Sequence, residues 1–500
     1  MAEPVLIIGA GMAGLFSALA LASRGHAVTV LERDPPPPDG GADVAFEDWN
    51  RRGVGHLRHS HAFLARLRSI IVNRHPALMA ELMAAGCQDL TFEGNLSPAT
   101  AARYRPEPGD EELTVLTSRR TTLELVLRRH VEGLPGVTFR SGVNVIGLVG
   151  ERDGAEGPFV CRGLRLAAGE GEETLAGIVV DAGGRASQVF DWLAETGIVP
   201  PEESEDAGIL YYTRHYRLRP GQSAPERGVI PGAGDLGYIK YGVFPADNGC
   251  FSLTLAAPEI EEELRKAIMR PEVFDAVCAN LPGAARWTDP ARAEPVSKVF
   301  GMGDLRSRWR DMAPEGRPLA LNLFPIGDGL VRTNPLYGRG CSFAAVAGEL
   351  LAETLDHSPD PAARASHFRA GVVRELRPYY EDMRTQDRQA IRRARNALNP
   401  AYRPGLKARI AKSFAEDGVA IALRRDIGLL RQFMRGFHML EDSRAWLKKP
   451  ANIAKVLAAW ATPRPAKRGY YPPRLGPDRA EMLTTLGVDP LADSRRLGLA

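Results

Sequence analysis

The chain has 500 residues, of which 44% are hydrophobic and 25% are charged. This length allows two or three domains, and the composition is ordinary for a globular protein. The formal net charge of +3 provides no strong attraction to nucleic acid, so we expect no nucleic-acid partner.

The first segment predicts a strand, a glycine turn and a helix. Val5 to Ile8 are apolar, and the pattern G-x-G-x-x-G follows at Gly9, Gly11 and Gly14. In such a turn the first glycine allows the sharp bend, the second lets a pyrophosphate approach the backbone, and the third lets helix and strand pack closely. Free N–H groups at the start of the helix favour phosphate oxygens. The alternative is an ordinary turn in which the glycines serve packing only.

An acid ends the second predicted strand. The first helix runs to about Ser23, a strand covers residues 27–31, and Glu32 follows. A carboxylate there accepts hydrogen bonds from ribose hydroxyls and disfavours a 2′-phosphate, so FAD or NAD fits better than NADP. The cofactor residues expected in this segment are Gly9, Ala10, Gly11, Met12, Ala13, Gly14, Glu32 and Arg33.

The N-terminal segment and the cysteines indicate in which cellular compartment the protein is expected. Residues 4–23 form an uncharged run long enough to suggest a membrane span, but the spaced glycines and Glu32 favour the turn. A secretory signal would need a basic start, and Glu3 is the only charged residue before the run. The five cysteines are far apart and form no C-x-x-C pair, so neither zinc nor a redox disulfide is indicated. We expect a cytoplasmic protein without a metal site.

Basic side chains crowd the region after a proline- and glycine-rich loop at 35–41. Apolar residues recur at helical spacing over 60–73, which predicts a helix. His56, His59 and His61 suggest a metal site at first, but no acid or cysteine completes a shell. We therefore favour packing and polar contacts near a cofactor for these histidines.

Three arginines are candidate cofactor contacts. Arg58 precedes the 60–73 helix, where its guanidinium could meet a pyrophosphate or a flavin edge; a solvated arginine is the alternative. Arg119 and Arg120 open another predicted helix after a strand at 112–118. We expect one of these two to contact the cofactor.

The middle of the chain changes from alternating strands and helices to antiparallel strands. Residues 209–217, 236–244 and 250–256 read as strands, with Asn248-Gly249 as a hairpin turn. They predict a second sheet whose tyrosines could wall a substrate pocket, although packing is the ordinary role of strand tyrosines. These residues are Tyr211, Tyr212, Tyr216, Tyr238 and Tyr241.

Two later turns also carry acids at strand ends. One strand at 177–180 leads into the turn Asp181 to Ser187, and another leads into Gly327-Asp328. Asp328 can accept a ribitol or ribose hydroxyl, and the helix that begins near Gly340 can stabilise negative charge on a flavin ring. The candidate cofactor residues here are Asp181, Gly327, Asp328, Pro335, Gly338, Arg339, Gly340 and Cys341.

The C-terminal part predicts helices rich in arginine. Residues 366–460 read as mostly helical, with a solvated basic face as the ordinary interpretation and contact with a membrane surface or a partner as the alternative. From Thr462 onward, prolines and charges indicate a tail that wraps around the body.

Four motifs together carry a family resemblance: GAGMAG with Glu32, the helix start at 118–120, the DAGGRAS turn, and GDG followed by NPLYGRG. With these motifs the chain resembles the FAD-dependent monooxygenases of the para-hydroxybenzoate hydroxylase type. Flavin halogenases, squalene-type epoxidases and geranylgeranyl reductases are relatives of that family. The resemblance covers about residues 1–355 and is specific for the flavin fold rather than for one reaction.

The resemblance implies an α/β fold. It has a Rossmann-like FAD-binding domain of the glutathione reductase type, an inserted antiparallel β-sheet substrate domain and a helical C-terminal region. The expected bounds are 1–75, 112–190 and 297–360 for the FAD-binding domain, 76–111 and 191–296 for the substrate domain, and 361–500 for the helical region and tail. By this resemblance Gly9, Gly11, Gly14, Glu32, Arg58, Arg120 and Asp328 would hold FAD, and Pro335, Gly338 and Gly340 would lie against the isoalloxazine.

The sequence departs from the family pattern in two motifs. Hydroxylases usually carry an Asp-Gly pair where this chain has Gly183-Gly184, with its acid earlier, at Asp181. This variant resembles the halogenase, epoxidase and reductase branches, which argues against direct NADPH handling and for a separate flavin reductase. Electrons would therefore come from NAD(P)H either directly or through such a reductase. The usual Gly-Gln-Gly near the flavin is replaced by Gly338-Arg339-Gly340, and the Trp-x-Trp-x-Ile-Pro signature of halogenases is absent.

The main functional hypothesis is an FAD-dependent monooxygenase. In such enzymes reduced FAD and O2 form a C4a-hydroperoxide, which here would hydroxylate or epoxidise an aromatic or polyene small molecule. Arg339 and the helix start at Cys341 would favour negative charge on the reduced flavin, and no catalytic acid or base is assigned. The alternatives are an FAD-dependent reductase of isoprenoid or polyene double bonds, a flavin halogenase, and a flavoprotein without turnover.

Overall fold

The central parallel sheet is built from strands far apart in the chain. A computed structural model, which describes residues 3–169 and 171–499, places five parallel strands in this sheet. Their order is Leu323–Pro325, Ile178–Asp181, Val5–Ile8, Val28–Glu32 and Val137–Ser141. The central strand pairs with a neighbour on each side and is almost wholly buried, which explains its uninterrupted apolar run. The carboxyl ends of the first four strands meet at one edge, where ligands bind in folds of this kind.

Two helices pack against each other beside this sheet. The helix Met12–Ala22 follows the first glycine turn, and the helix Gly340–His357 packs against it. Gly348 permits the close approach, because a Cβ atom there would come within 2.9 Å of the Phe16 carbonyl carbon. The N-termini of both helices, at Met12 and Gly340, lie at the carboxyl edge of the sheet.

The predicted second sheet is antiparallel and has its own core. Its strand order is Ala233–Asp235, Lys240–Pro245, Cys250–Pro258, Ile209–Leu218 and Ala293–Pro295, with Phe300–Met302 also paired to Ile209–Leu218. Asn248 and Gly249 form the hairpin turn with positive φ angles of 54° and 69°. Three helices that the sequence did not predict pack on this sheet: Glu262–Ile268, Pro271–Ala279 and Pro282–Thr288.

Smaller sheets and short helices complete the region before residue 340. The remaining strands are Gln88–Leu90, Val115–Thr117, Val145–Arg152, Phe159–Ala168, Gly171–Ala176, Glu202–Asp206, Arg306–Arg310, Ala320–Leu321 and Val331–Arg332. The remaining α-helices are Ala42–Asp48, Ala65–Arg74, Pro76–Ala84, Phe92–Asn95, Pro98–Ala101, Arg120–Glu132 and Val189–Glu195.

The C-terminal region is helical, as predicted. Its longest helix, Pro361–Ala397, starts with proline in the first turn and with the Asp360 carboxylate accepting from the Ala363 N–H at 2.8 Å. The other helices are Leu406–Ser413, the π-helix Phe414–Val419, Ala420–Arg425, Ile427–Phe437, Pro450–Ala461, Arg479–Thr485 and Ala492–Arg496. The tail returns to the antiparallel sheet, where the Tyr238 hydroxyl donates to the Pro477 carbonyl. None of the helices in the described ranges has both the length and the apolar character needed to cross a membrane.

The predicted fold class is confirmed, and three predicted elements began at the wrong residue. The strand predicted over 112–118 covers only Val115–Thr117, because Glu111–Leu113 form a 3-10 helix. The helix predicted over 60–73 begins only at Ala65, because Phe63 forms a β-bridge with Leu116 and holds the preceding residues in turns. The strand predicted over 236–244 begins at Lys240, since Gly237 turns the chain with φ of +87°. The domain bounds stated above remain a prediction.

Candidate functional site

A cavity of about 300 Å³ opens at the carboxyl edge of the parallel sheet. Thirteen of the predicted cofactor residues line it: Gly9, Gly11, Met12, Ala13, Glu32, Arg33, Arg120, Gly327, Asp328, Pro335, Gly338, Gly340 and Cys341. Five do not: Ala10, Gly14, Arg58, Asp181 and Arg339. The two glycine turns, far apart in sequence, thus face one space.

The first glycine turn has the shape of a nucleotide cradle. A Cβ atom on Gly9, whose φ is +94°, would lie 2.8 Å from the Ala182 carbonyl oxygen, and one on Gly14 would lie 1.9 Å from the Gly9 carbonyl oxygen. Gly11 has no atom within 4 Å of its Cβ position and faces the cavity. Two glycines are therefore required by packing, whereas the third leaves room for a ligand. This fits a pyrophosphate seated on the helix start.

A buried chain of charges lies behind this turn. Glu32 Oε2 accepts from the Ala10 N–H at 2.7 Å and from Arg51 Nη2 at 3.0 Å. Arg51 Nη1 donates to Glu124 Oε1 at 2.6 Å, and Glu124 Oε2 accepts from Arg120 Nε at 2.7 Å. The alternating charges hold Glu32 and Arg120 at the cavity wall. Ala10 thus contributes through its main chain rather than as a lining residue.

The three histidines surround the cavity but are held neutral. His61 Nε2 lies 3.1 Å from Arg120 Nη1, which can only donate, so this nitrogen accepts and Nδ1 donates to the His59 carbonyl at 2.9 Å. Burial and the nearby Arg120 lower the pKa of His56 to about 3, and burial lowers the pKa of His59 to about 4. Within the described ranges no group of three His, Cys, Asp or Glu residues is arranged to hold a metal ion.

Arg58 does not reach the cavity, contrary to the prediction. Its Nε donates to the Phe46 carbonyl at 2.5 Å, and its Nη2 donates to the carbonyls of Glu47 and Trp49. The guanidinium is therefore used to hold the turn after the helix Ala42–Asp48. Arg51, seven residues earlier, is the arginine of this loop that lines the cavity.

Of the paired arginines, Arg120 faces the cavity and Arg119 does not. Arg119 Nη2 donates to Asp247 Oδ2 at 2.6 Å and to Asp43 Oδ1 at 2.7 Å. It thereby joins the start of its helix to the hairpin of the antiparallel sheet. The sequence could not tell which of two neighbouring arginines would point inward.

Asp181 supports the cavity from behind rather than lining it. Its Oδ1 accepts from the Gly183 N–H at 3.0 Å, and its Oδ2 accepts from the Ser187 hydroxyl at 2.7 Å. These bonds fix the turn 182–189, every residue of which lines the cavity. The predicted direct contact of Asp181 with a cofactor is thus replaced by a role in shaping the turn.

The second glycine turn contributes an acid and a thiol to the cavity. Loss of hydration raises the pKa of Asp328, although Arg332 and Arg120 oppose this shift. Burial also raises the pKa of Cys341, whose sulfur accepts from Arg120 Nη1 at 3.6 Å. The thiol is therefore protonated and serves packing at the helix start. Arg339, expected at the flavin, instead donates to the Tyr379 carbonyl at 3.0 Å.

The strand tyrosines do not wall the cavity. None of Tyr211, Tyr212, Tyr216, Tyr238 and Tyr241 lines it, and all five are buried. The antiparallel-sheet region reaches the cavity instead through Met302 and Leu305. No sequence pattern indicated that Met302 and Leu305 would form the apolar wall of the cavity.

Asp387, on the long C-terminal helix, anchors the second glycine turn from behind. Its Oδ1 accepts from Asn334 Nδ2 and from the Tyr337 hydroxyl, both at 2.9 Å. The Asn334 side-chain oxygen in turn accepts from the Tyr211 hydroxyl at 2.6 Å and from the Leu336 N–H. One buried carboxylate, held by neutral donors, thus joins the helical region, the cavity turn and the antiparallel sheet.

Burial raises the pKa of Asp387 to about 6. Because this carboxyl group has a higher pKa in the folded than in the unfolded state, its contribution to stability is fully present at pH values below the unfolded-state pKa. That contribution is lost as the pH rises through about 6. Between about pH 5 and about pH 8, we expect the free energy of unfolding of the wild type to fall by about 1–2 kcal/mol relative to Asp387→Asn. Urea unfolding of both proteins at the two pH values measures this.

Asp304→Asn is the matched control for this prediction. The Asp304 side chain is 81% exposed, so its removal should leave the pH dependence unchanged. A constant difference between wild type and Asp387→Asn across the pH range would contradict the assignment.

Comparison with known proteins gives the following matches. Residues 4–69 match the family model of FAD dependent oxidoreductases. The chain is 28% identical over 400 residues to Protein Rv3254 of Mycobacterium tuberculosis, covering 75% of this chain and 76% of that protein. It is 26% identical over 249 residues to the FAD-dependent monooxygenase aptC of Emericella nidulans, covering 47% of this chain and 54% of that protein. The structure of the flavin-dependent brominase Bmp2 matches with a TM-score of 0.58 at 18% identity, covering 92% of this chain and 98% of that one.

Proposed function

We propose that this chain is an FAD-dependent monooxygenase, since its residues 4–69 match FAD dependent oxidoreductases and its fold is that of flavin-dependent monooxygenases and halogenases. It would insert one oxygen atom of O2 into an aromatic or polyene small molecule, by hydroxylation or epoxidation. The observation that carries the proposal is the meeting, in one cavity, of the Gly11 cradle, the turn at 327–340 and the loop at 56–62.

FAD fits the ends of this cavity. The pyrophosphate would lie at Gly11 and the helix start, and the ribose of its adenosine part would meet Glu32. Val143, Asn144 and Val145 line the cavity together with Glu32 and would border the adenine. The isoalloxazine would lie against the turn that carries Pro335, Gly338 and Gly340. Bound and reduced, FAD supplies the chemistry that activates O2.

The side chains of this chain would orient the substrate and exclude water. Met302 and Leu305 provide an apolar wall, while His59 and His61 are held neutral and add no charge to the cavity. The N-terminal dipole of the helix at Gly340, and Arg120 in the cavity wall, would stabilise negative charge on the ring. No acid–base pair is needed, because the cofactor carries the reactive group.

The overall reaction needs two electrons and two protons from outside the protein, of which a hydride from NAD(P)H brings both electrons and one proton. Substrate, O2, NAD(P)H and a proton would yield the oxygenated product, water and NAD(P)+. We propose reduced nicotinamide as the source, either directly or through a separate flavin reductase. All five cysteines are free and buried, which is compatible with the reducing, cytoplasmic compartment that we propose.

Isotopically labelled dioxygen tests the proposal. The FAD-loaded protein, reduced and mixed with a panel of aromatic and polyene compounds, should yield a product that carries one labelled oxygen atom. Protein stripped of FAD is the control and should yield none. A product that gains two hydrogens under strict anaerobiosis would instead identify a reductase, and a halogenated product formed only with bromide or chloride would identify a halogenase.

A further inference from the structure

One stretch of the helical region carries only positive charge. Between Asp387 and Glu416 the sequence has no acidic residue but has eight arginines and lysines. Every residue from Ala401 to Lys412 is exposed, and we name this stretch the 401–412 surface. Arg403 donates to the main-chain carbonyls of Pro400 and Tyr402 rather than to a carboxylate. Cations without intervening acids project a positive field into solvent.

Apolar side chains stand among these cations. Leu406 is 70% exposed and Ile410 is 47% exposed. They lie four residues apart on the helix Leu406–Ser413 and so share one face. Single exposed apolar residues are ordinary on protein surfaces, but an aligned pair among lysines and arginines is the pattern of an interfacial helix.

A neighbouring helix repeats the apolar pattern. On Pro450–Ala461, Ile453 is 42% exposed and Leu457 is 46% exposed, again four residues apart. Trp460 of this helix donates through Nε1 to the Ser413 hydroxyl at 3.1 Å, so the two helices adjoin. The exposed apolar residues therefore belong to one helical unit.

We propose that the 401–412 surface docks this protein on an anionic lipid bilayer. The cations would meet the headgroup phosphates, and Leu406 and Ile410 would enter the boundary of the acyl chains. A nucleic acid would neutralise the cations but would leave both apolar side chains in water. Docking here is peripheral and independent of the cofactor cavity, since no residue of the 401–412 surface lines that cavity.

Vesicle co-sedimentation of the FAD-loaded full chain tests the proposal. Vesicles of phosphatidylcholine are compared with vesicles in which about one third of the lipid is phosphatidylglycerol. We expect binding to the anionic vesicles only, weakening as salt is added. Lys407→Glu with Arg409→Glu should weaken this binding about tenfold or more. Leu406→Ser with Ile410→Ser should also weaken it, because the apolar contribution is lost.

Val199→Ser with Val229→Ser is the matched control. These valines are 74% and 71% exposed outside the helical unit, so vesicle binding should be unchanged. FAD content and unfolding temperature report that each variant is folded. Equal binding to both vesicle types, or unchanged binding by either test variant, overturns the proposal. The proposal is also overturned if the protein binds duplex DNA more strongly than vesicles and this binding is insensitive to the Leu406 and Ile410 changes. That result would assign the surface to nucleic acid.

Discussion

Gly11→Val is expected to fold normally and to purify without FAD. Gly11 has φ of −80° and ψ of −175°, which any residue adopts, and a Cβ there meets no protein atom within 4 Å. The valine side chain would therefore fill only the space meant for the pyrophosphate. We expect FAD affinity to fall at least about 100-fold, equivalent to about 2.7 kcal/mol. Titration of the FAD-free protein, followed by flavin fluorescence, measures this.

The chain offers a close control in Gly41→Val. Gly41 also precedes a helix, has φ of −95° and ψ of −165°, and has no atom within 4 Å of its Cβ position. Because Gly41 does not line the cavity, this variant should bind FAD as the wild type does. Undiminished FAD affinity in Gly11→Val would contradict the placement of the pyrophosphate.

Arg51→Met is expected to destabilise the whole protein. The Arg51 side chain is 2% exposed and bridges Glu32 and Glu124, whose side chains are 7% and 0% exposed. Removing the cation leaves two buried carboxylates without their common partner, which typically costs about 3–5 kcal/mol. Urea unfolding of the FAD-free proteins measures the loss, and FAD affinity should fall as well because Glu32 loses its support.

Arg52→Met provides the comparison for this variant. Arg52 is the next residue and is exposed, so its replacement should change the free energy of unfolding by less than about 0.5 kcal/mol. If Arg51→Met unfolded at the same urea concentration as Arg52→Met, the assignment of Arg51 as the buried bridge between Glu32 and Glu124 would be wrong.

The sequence predicted the parts of the site that depend on neighbouring residues. Gly9, Gly11, Gly14 and Glu32 follow from one strand, turn and helix, whose geometry is determined locally. The resemblance to flavin monooxygenases and the α/β fold with its antiparallel sheet and C-terminal helices are confirmed. The match of residues 4–69 to FAD dependent oxidoreductases supports FAD as the cofactor. The role of each lining residue in holding FAD remains a prediction.

The rest depends on contacts between distant segments. Arg51 meets Glu124 across 73 residues of sequence, and no local pattern distinguishes it from Arg58 in the same loop. Asp387 reaches the cavity turn only because the long C-terminal helix passes behind it. Such pairings are set by how the sheets and helices pack, and a single sequence does not encode them in any spacing.

The reaction of the reduced, FAD-loaded protein with oxygen tests the monooxygenase account most directly. The bound flavin is photoreduced without oxygen and then mixed with oxygenated buffer in a stopped-flow spectrometer. The account predicts rapid oxygen consumption and a transient near-ultraviolet absorbance that belongs to neither reduced nor oxidised flavin. Protein-bound FAD that stays reduced in oxygenated buffer, with no oxygen consumed above the buffer background, would contradict it.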